Sequence, residues 1–336
     1  MHDPTLMTTV AFSLAAFLSA AIIFAMLPLL RRHAMALPQA RSSHQVPTPQ
    51  GAGVGVVIAA ITATSFALGI WAPQDIEHIG LVIAATVLIA VVGAIDDLAP
   101  ARIVPRLLLQ LLAVVIALAA LPDEARLTPA LPLWAERAAL ALAALWFVNL
   151  VNFMDGLDWM TAAEVIPVAS TLVLLGTSGH LSVPATILAA ALVGAFVGFA
   201  PFNRPVAQIF LGDVGSLPTG LLLGWCLLDL AMHGQLLAAL LLPMYYVADA
   251  TVTLLGRMMR GEKFWLAHRS HFYQRATDNG LSVMQVVTRV FLLNLLLALL
   301  AVASTAVPAT SVQLALAFAG LAAVTLVLRR FARPPT

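Results

Sequence analysis

The chain has 336 residues, of which 61% are hydrophobic and only 10% are charged. Soluble domains are about 45–50% apolar and about 25% charged, so this composition excludes a soluble globular domain and indicates a polytopic membrane protein. The formal net charge of +1 favours no class of partner, and the single cysteine, Cys226, excludes an internal disulfide.

Runs of about 17–25 apolar residues predict transmembrane helices, and the chain contains eleven of them. In chain order they cover residues 5–30, 54–71, 79–95, 106–121, 137–153, 160–176, 183–200, 216–232, 235–255, 285–303 and 311–328. No Lys or Arg precedes the first run, so we expect a retained span and not a cleaved signal peptide. The composition does not change along the chain, and we expect one integral-membrane domain over residues 1–336.

The basic residues are distributed unevenly over the connectors between these runs. If the N-terminus lies outside, 15 of the 17 Lys and Arg residues fall inside, and only Arg126 and Arg137 fall outside. The positive-inside rule therefore predicts that the N-terminus is outside and the C-terminus is inside.

Three acidic clusters fall on the predicted inner side. They are Asp96-Asp97, the stretch Asn149-Leu-Val-Asn152-Phe-Met-Asp155-Gly156-Leu-Asp158, and Asp213 within Phe210-Leu-Gly-Asp-Val-Gly-Ser216. Five like charges near a low-dielectric boundary repel one another unless they are protonated or neutralised, and all-oxygen ligands suit Mg²⁺ or Mn²⁺. The alternative is that each acid simply ends a helix and meets solvent. The grouping of all five on one side favours a metal site.

Groups that suit phosphate or a nucleotide lie on the same side. Glycines before an apolar helix let a phosphate approach the backbone N–H groups around Asp213. Phe210 could stack on a base or anchor in lipid, and Asn203 could reach the same ligand or belong to a proline-bracketed turn. Arg102 and Arg106 share one helical face with Gln110, a spacing that could hold an anionic substrate.

A predicted inner loop holds His268, His271 and Arg275, which could bind phosphate through charge-assisted hydrogen bonds. A zinc site and a contact with anionic lipid are the alternatives for this loop. The glycine pairs Gly194/Gly198 and Gly220/Gly224 predict helix packing, and glycine-lined faces would also permit a homodimer.

The order of these motifs resembles the polyprenyl-phosphate N-acetylhexosamine-1-phosphate transferases, from about Arg41 to Arg275. The resemblance implies a multi-helix protein of the bacterial inner membrane whose cytoplasmic loops form the active site. It implies transfer of a sugar-1-phosphate from a UDP-sugar to undecaprenyl phosphate, with release of UMP, a requirement for Mg²⁺ and no nucleic-acid partner.

The family roles can be carried onto this sequence residue by residue. The resemblance implies that Asp96, Asp97 and Asp213 are catalytic, with Asp213 and Asp97 as metal ligands. It implies that a further set binds the substrates, namely Asn152, Asp155, Asp158, Asn203, Phe210, His268, His271 and Arg275. From their positions beside these motifs we expect Asn149, Arg102, Arg106 and His44 to bind substrate as well.

The sequence departs from the family pattern at several positions. Trp159 stands where the family commonly has the second glycine of Asp-Gly-x-Asp-Gly, and arginine replaces the lysine often seen after the acidic pair. The stretch Ala267-His-Arg-Ser-His271 lacks the triple histidine of the peptidoglycan enzyme. It resembles the branch that starts O-antigen or other surface polysaccharides, so we expect a donor other than UDP-MurNAc-pentapeptide.

Two questions remain open from the sequence. The lipid phosphate could attack the donor directly, or a covalent aspartyl intermediate could form. An ion-coupled secondary transporter would also have intramembrane acids and interrupted helices. A transporter's acids should lie near the membrane midplane, whereas these acids group at one side, which favours the enzyme.

Overall fold

In a computed structural model that describes residues 4–36, 46–99, 102–263 and 268–334, the chain is almost entirely helical. The helices are α1 (Pro4–His33), α2 (Gly53–Trp71), α3 (Ile76–Leu98), α4 (Ile103–Leu118), α5 (Leu133–Met154), α6 (Met160–Thr177), α7 (Val183–Phe199), α8 (Asp213–Met232), α9 (Leu236–Leu241), α10 (Met244–Met259), α11 (Phe272–Asp278), α12 (Val283–Ala306) and α13 (Thr310–Ala332). The strands β1 (Met35–Ala36) and β2 (Thr48–Pro49) pair in antiparallel fashion. The predicted all-α polytopic membrane fold is confirmed.

Most of the predicted spans are single helices. Within the described residues, eight helices are long and apolar enough to cross a membrane, namely α1, α2, α3, α5, α6, α8, α12 and α13. The apolar helices α4 and α7 are shorter, with 16 and 17 residues. At about 1.5 Å per residue they extend about 24–26 Å, slightly less than the hydrocarbon core of about 30 Å.

The predicted run 235–255 is not one helix, and this prediction was wrong. It forms α9 and α10, which are separated by Leu242 and Pro243. Proline has no backbone N–H and its ring collides with the preceding helical turn, so α9 ends before Pro243. Further along, α10 continues to Met259 and α11 forms within the predicted inner loop, so that loop is shorter than expected.

Two helix boundaries change the setting of the acidic residues. Helix α3 continues through Asp97 to Leu98, and α8 begins at Asp213, whereas the sequence placed its start at 216. These acids therefore lie on helical turns and not in free loops. Their side chains are held by two rigid elements.

Helix α8 forms the centre of the bundle. Of its most apolar segment 89% is buried, compared with 17% for α13, and α8 packs against α2, α3 and α5. Glycines permit the closest approaches at its first turn. A methyl group at Gly93 of α3 would overlap the backbone of Asp213, and one at Gly53 of α2 would overlap Gly215.

The other glycine pairs pack inside the chain, as the sequence indicated. Gly194 and Gly198 lie against the backbone of α1, and Gly220 and Gly224 lie against α5. Because these faces are already covered by neighbouring helices, they give no support to the homodimer that glycine-lined faces would permit.

The ends of α3 and α5 and the start of α8 meet at one end of the bundle, which we call the acidic end. Here the chain after β2 is joined to the segment before α8. The carbonyl of Phe210 accepts a hydrogen bond from the N–H of Gly51 at 3.1 Å, and the Phe210 N–H donates to Pro49 at 2.8 Å. The first turn of α8 is thus fixed from two sides.

Candidate active site

Asp97 binds the first turn of α8. Its Oδ1 accepts a hydrogen bond from the backbone N–H of Asp213 at 2.9 Å, and its Oδ2 accepts one from Val214 at 3.0 Å. N–H groups in the first turn of a helix have no partner within the helix, and the positive end of the helix dipole favours a carboxylate there. Gly212 makes room for it, with φ of 76° and a position at which a Cβ would lie 2.6 Å from Oδ2 of Asp97.

Asp96 lies between a positive and a negative partner. Its Oδ2 accepts a hydrogen bond from Nη1 of Arg106, and the Asp213 carboxylate is a neighbouring negative charge. The Nε of Arg106 is buried and has no hydrogen-bond partner among the residues described. Neighbouring carboxylates repel one another unless a proton or a cation is present.

Asn152 orients the carboxylate of Asp213. The last full turn of α5 brings its carboxamide to α8, where Nδ2 donates to Oδ1 of Asp213 at 2.8 Å and to Oγ of Ser216 at 2.9 Å. This contact joins the second and third acidic clusters directly.

Asp155 follows the last residue of α5 and accepts a hydrogen bond from Oγ1 of Thr161. Burial raises the pKa of Asp155 to about 8, and the neighbouring carboxylates of Asp213, Asp97 and Asp158 also raise it. The ionised form of Asp155 is therefore unfavourable unless a positive charge compensates it.

Five carboxylates from three parts of the chain thus converge at the acidic end. We call them the acidic cluster: Asp96, Asp97, Asp155, Asp158 and Asp213. In the part of the chain that the structure describes, no three His, Cys, Asp or Glu side chains already surround one point. A cation here would therefore take only one or two carboxylates and complete its shell with other oxygens, the usual mode of Mg²⁺ beside phosphates.

Asn203 has a different role from the predicted one. Its Oδ1 accepts a hydrogen bond from the backbone N–H of Trp159 at 2.7 Å, and its Nδ2 donates to the carbonyl of Ile209 at 2.9 Å. Both ends of the carboxamide thus bind backbone, so Asn203 holds its loop in place and is not turned toward a nucleotide.

Trp159, at the position where the family commonly has glycine, keeps a backbone conformation that glycine favours. Its φ of 63° lies in the left-handed region, which favours glycine and costs a residue with a side chain about 1–2 kcal/mol. The indole Nε1 donates to the carbonyl of Ala200 at 2.6 Å. The tryptophan therefore joins the stretch after Asp158 to the loop between α7 and α8, with that contact offsetting the backbone cost.

The same loop is bound to the acidic cluster at a second point. Oδ2 of Asp158 accepts a hydrogen bond from the N–H of Ala207 at 3.0 Å. Phe210, at the end of the loop, is half-buried and its backbone is paired with the chain after β2. Asp158 and Phe210 therefore border the cluster on the loop side.

Asn149 lies away from the cluster. Its Nδ2 donates to Oε1 of Gln110 at 2.8 Å and to the carbonyl of Leu145 at 2.9 Å, and it is buried between α4 and α5. Asn149 is therefore a helix–helix contact and not a member of the substrate-binding set.

The stretch from His268 to Arg275, which we call the histidine segment, packs beside the acidic end. His271 begins α11 and is 4% exposed, and the ring of His268 stacks on it with centroids 4.9 Å apart. The hydroxyl of Tyr273 donates to the carbonyl of Phe153 at 3.0 Å, which places α11 against the stretch that carries Asp155.

Arg275 points away from the cluster. It is exposed, its guanidinium lies 5.4 Å from the centre of the Phe272 ring, and its Nη2 donates to the carbonyl of Ala332 at 3.4 Å. One turn later Asn279 donates to the carbonyl of Phe331 at 2.9 Å. Arg275 therefore joins α11 to the last turn of α13.

The remaining residues that the sequence predicted to bind substrate are Arg102, Arg106 and His44. Arg102 is exposed immediately before α4, and Arg106 is the basic residue that contacts the acidic pair. His44 lies outside the described residues.

Sequence reasoning missed Asp249, the buried partner of His271, with 3.3 Å between its Oδ1 and Nδ1 of the histidine. A signal was present, because Asp249 is a lone acid within the predicted run 235–255, and an ionisable residue at membrane depth is a candidate functional residue. Thr161, the partner of Asp155, gave no such signal.

Comparison with known proteins bears on this geometry. The model of Glycosyl transferase family 4 matches residues 79–231, which include all five members of the acidic cluster. Over residues 79–231 the chain is therefore similar to the glycosyl transferases of family 4. The rival transporter interpretation is not favoured.

Several relatives share one name, phospho-N-acetylmuramoyl-pentapeptide-transferase. The protein of Ruegeria pomeroyi is 28% identical over 295 residues, which cover 76% of this chain and 79% of the relative. That of Solidesulfovibrio magneticus is 32% identical over 199 residues, or 54% of each chain. That of Streptococcus pneumoniae is 30% identical over 224 residues, or 61% of this chain and 65% of the relative.

The extent of these matches varies. This chain spans about half the length of some of its curated relatives, with 46% of the Sorangium cellulosum protein and 54% of the Solidesulfovibrio protein. The relatives carry the name of the peptidoglycan enzyme, whereas the sequence led us to expect another branch for this chain. None of them supports the O-antigen branch.

Proposed function

We propose that the chain transfers an N-acetylhexosamine-type sugar-1-phosphate from a UDP-sugar to a polyprenyl phosphate and releases UMP. The observation that carries the proposal is the acidic cluster, which gathers residues from three parts of the chain beside the half-buried Arg106, within the segment that the Glycosyl transferase family 4 model matches. We place the acidic end in the cytoplasm of a bacterial inner membrane, because the Lys and Arg distribution favours that orientation.

The residues present fit a divalent cation. Oxygen ligands suit Mg²⁺ or Mn²⁺, and a cation would offset the repulsion between the neighbouring Asp96 and Asp213 carboxylates. Asp97 was expected to be the second ligand, but both of its oxygens bind the backbone of α8. We therefore propose that Asp213 and Asp96 hold the metal and that Asp97 positions Asp213. A bound Mg²⁺ would offset phosphate charge and stabilise the leaving group.

The chain's own residues prepare the reacting groups. Asn152 orients the Asp213 carboxylate, and Arg106 supplies a positive charge beside the acids. An oxygen of the lipid phosphate attacks the β-phosphorus of the donor, and the bond from that phosphorus to the bridging oxygen breaks, so UMP leaves. The lipid phosphate is already largely ionised at pH 7, so no strong base is required.

The surface beyond Arg106 suits a lipid acceptor. One turn further along α4, Nε2 of Gln110 is buried without a hydrogen-bond partner in the described chain. Beyond Gln110 the same face of α4 is apolar, with Val114 and Ala117 packed opposite Gly220 and Gly224 of α8. Donors at the head and apolar residues along the tail match a phosphate carried on an isoprenoid chain.

The test is incubation of the purified protein with Mg²⁺, polyprenyl phosphate and a panel of UDP-sugars. We expect UMP and a butanol-soluble sugar lipid with at least one UDP-N-acetylhexosamine. Absence of both products with every donor, in a preparation that binds UDP, would contradict the proposal. A labelled phospho-sugar trapped on the protein without acceptor would support the covalent route over direct attack.

The names of the relatives favour a second donor, UDP-MurNAc-pentapeptide. That donor belongs in the same panel, because the departures at Trp159 and in the histidine segment are the features that argue against it. Turnover with UDP-MurNAc-pentapeptide alone would place the chain in the peptidoglycan branch.

A further inference from the structure

Asp249 is a fully buried carboxylate at 0% exposure that lies outside the acidic cluster and binds the histidine segment. It accepts hydrogen bonds from five donors. They are the N–H of Phe272 (2.9 Å), the N–H of Tyr273 (3.1 Å), the hydroxyls of Tyr245 (3.2 Å) and Thr253 (3.3 Å), and Nδ1 of His271 (3.3 Å). Burial of a carboxylate is costly, and this number of donors compensates the cost.

The contact with His271 fixes more than the position of the ring. Two backbone N–H groups and two hydroxyls already donate to this carboxylate, so we infer that it accepts from His271 as well and that Nδ1 carries a hydrogen in this contact. A hydrogen held on Nδ1 leaves Nε2 as the nitrogen that exchanges a proton or hydrogen bond with another group. Asp249 thereby selects both the orientation and the tautomer of His271.

The ring of His271 in turn supports His268. The two rings stack at 4.9 Å with an angle of 30° between their planes, and Nδ1 of His268 is 2.9 Å from Oγ of Ser270. His271 is almost wholly buried, whereas His268 is half-buried, so His268 presents the accessible ring of the pair.

The pair packs beside the end of α5, next to the turn that contains Asp155. The His271 ring lies 6.4 Å from the ring of Phe153, and Tyr273 donates to the Phe153 carbonyl at 3.0 Å. Gly156 has no side chain that would collide with the Tyr273 hydroxyl, so α11 packs closely on the turn that contains Asp155.

We propose that Asp249 is a positioning residue that holds the His271–His268 pair in the geometry that binds the diphosphate of a nucleoside diphosphate sugar. This inference rests on the proposed function and extends it to a residue on α10. The accessible imidazole of His268 is the binding group, the buried ring of His271 supports it, and Asp249 acts through this pair without touching the ligand.

Asp249 also binds the first two N–H groups of α11, so it could simply stabilise this helix. The experiment must separate that structural role from the positioning of the two histidines. The variants are Asp249→Asn, His271→Gln and the double variant, each made in the full chain, with Thr253→Val as the control. Thr253 donates to the same carboxylate, and its hydroxyl makes its hydrogen bond to Asp249 and not to a histidine.

Steady-state kinetics of UMP release give the first measurement. We expect Asp249→Asn to lower kcat about 10- to 100-fold, as loss of a group that orients a histidine does. In the His271→Gln background the same change should cost less than about twofold, because residues that act as a unit are not additive. Thr253→Val should keep kcat close to wild type. Equal, multiplying losses in both backgrounds, or a parallel loss in Thr253→Val, would overturn the proposal.

A second measurement does not need turnover. Modification of His271 by diethyl pyrocarbonate, followed by peptide mass spectrometry, should accelerate several-fold in Asp249→Asn and remain unchanged in Thr253→Val. If the wild type turns over no donor, the proposed function fails, yet the modification rates still decide whether Asp249 holds the ring. Equal rates in all variants would refute the positioning role even in an active enzyme.

Discussion

Asp97 of α3 binds the backbone N–H of Asp213 of α8 at 2.9 Å, so one acid of the cluster fixes the helical turn that carries another. The contact ties the acidic pair to the FxGDxGS-type segment more than a hundred residues away. It also separates the roles of neighbouring acids, because Asp96 is turned toward Arg106 and the Asp213 carboxylate.

Replacement of Asp213 tests the proposed metal ligand. Asp213→Asn keeps the size of the side chain but removes its charge, and loss of metal-mediated stabilisation worth several kcal/mol corresponds to a fall of about 10³-fold in kcat. The melting temperature in detergent should stay near that of wild type. Asp123→Asn, at an exposed connector residue, is the matched control. Mg²⁺-dependent turnover retained in Asp213→Asn would show that the ligand is assigned wrongly.

The acidic pair can be divided by magnesium titration. Asp96→Asn should raise the Mg²⁺ concentration for half-maximal activity about tenfold or more, a cost of about 1.4 kcal/mol in binding. Asp97→Asn should weaken the start of α8 by about 1 kcal/mol and lower kcat, while the Mg²⁺ requirement changes little. If Asp97→Asn shifts the requirement as far as Asp96→Asn does, Asp97 is a ligand, as the sequence predicted.

Gly93 is expected to be essential for the geometry of the site. A Cβ at this residue would overlap the backbone of Asp213 and Val214, so Gly93→Ala should destabilise the protein by about 1–3 kcal/mol and displace the first turn of α8. Gly80→Ala lies on the same helix and meets nothing within 4 Å, so it should be neutral. Thermal unfolding and UMP release measure both effects, and equal behaviour of the two variants would argue against the close approach.

Arg106 and Arg102 should differ in their effect on the acceptor. Arg106→Ala removes a charge-assisted contact beside the acids and should raise the KM for polyprenyl phosphate about tenfold, with a smaller change in the KM for the donor. Arg102→Ala, at an exposed residue, should leave both constants within about twofold of wild type. A larger effect at Arg102 would reverse the assignment.

The raised pKa of Asp155 predicts a pH-dependent stability. Its pKa is about 8 in the folded chain, against about 4 when unfolded, so the folded state binds more protons between these values. Stability in EDTA should therefore fall as the pH rises from about 5 to about 8. Asp155→Asn should flatten this dependence, as measured by melting temperature across the range. An unchanged slope in that variant would assign the effect to other groups.

The sequence predicted the architecture because apolar length and the positions of Lys and Arg are properties of the chain itself. It failed at 235–255, where Pro243 divides the run, since average hydropathy does not register a missing N–H. The gathering of Asp97, Asp155 and Asp213 was also predictable, because alternating spans bring helix ends of the same direction to one side of a membrane.

Side-chain partners could not be predicted in this way. Asn203 and Arg275 are polar residues near the motifs, yet one binds loop backbone and the other binds α13. Such choices depend on which groups of a distant segment lack a partner, and spacing along the chain does not encode them. Asp249 could have been flagged as a lone acid within an apolar run, but its partners could not, because its five donors become neighbours only after α10 and α11 pack together.

The last turn of α13 receives hydrogen bonds from Asn279 and Arg275, and Phe331 packs edge-on against Tyr245, a donor to Asp249. Purification tags, reporter fusions or truncations that disturb this turn would weaken the contacts that hold α11 and Tyr245, and with them the two histidine rings, in place. Expression vectors for biochemical work should therefore carry their affinity handle at the other terminus.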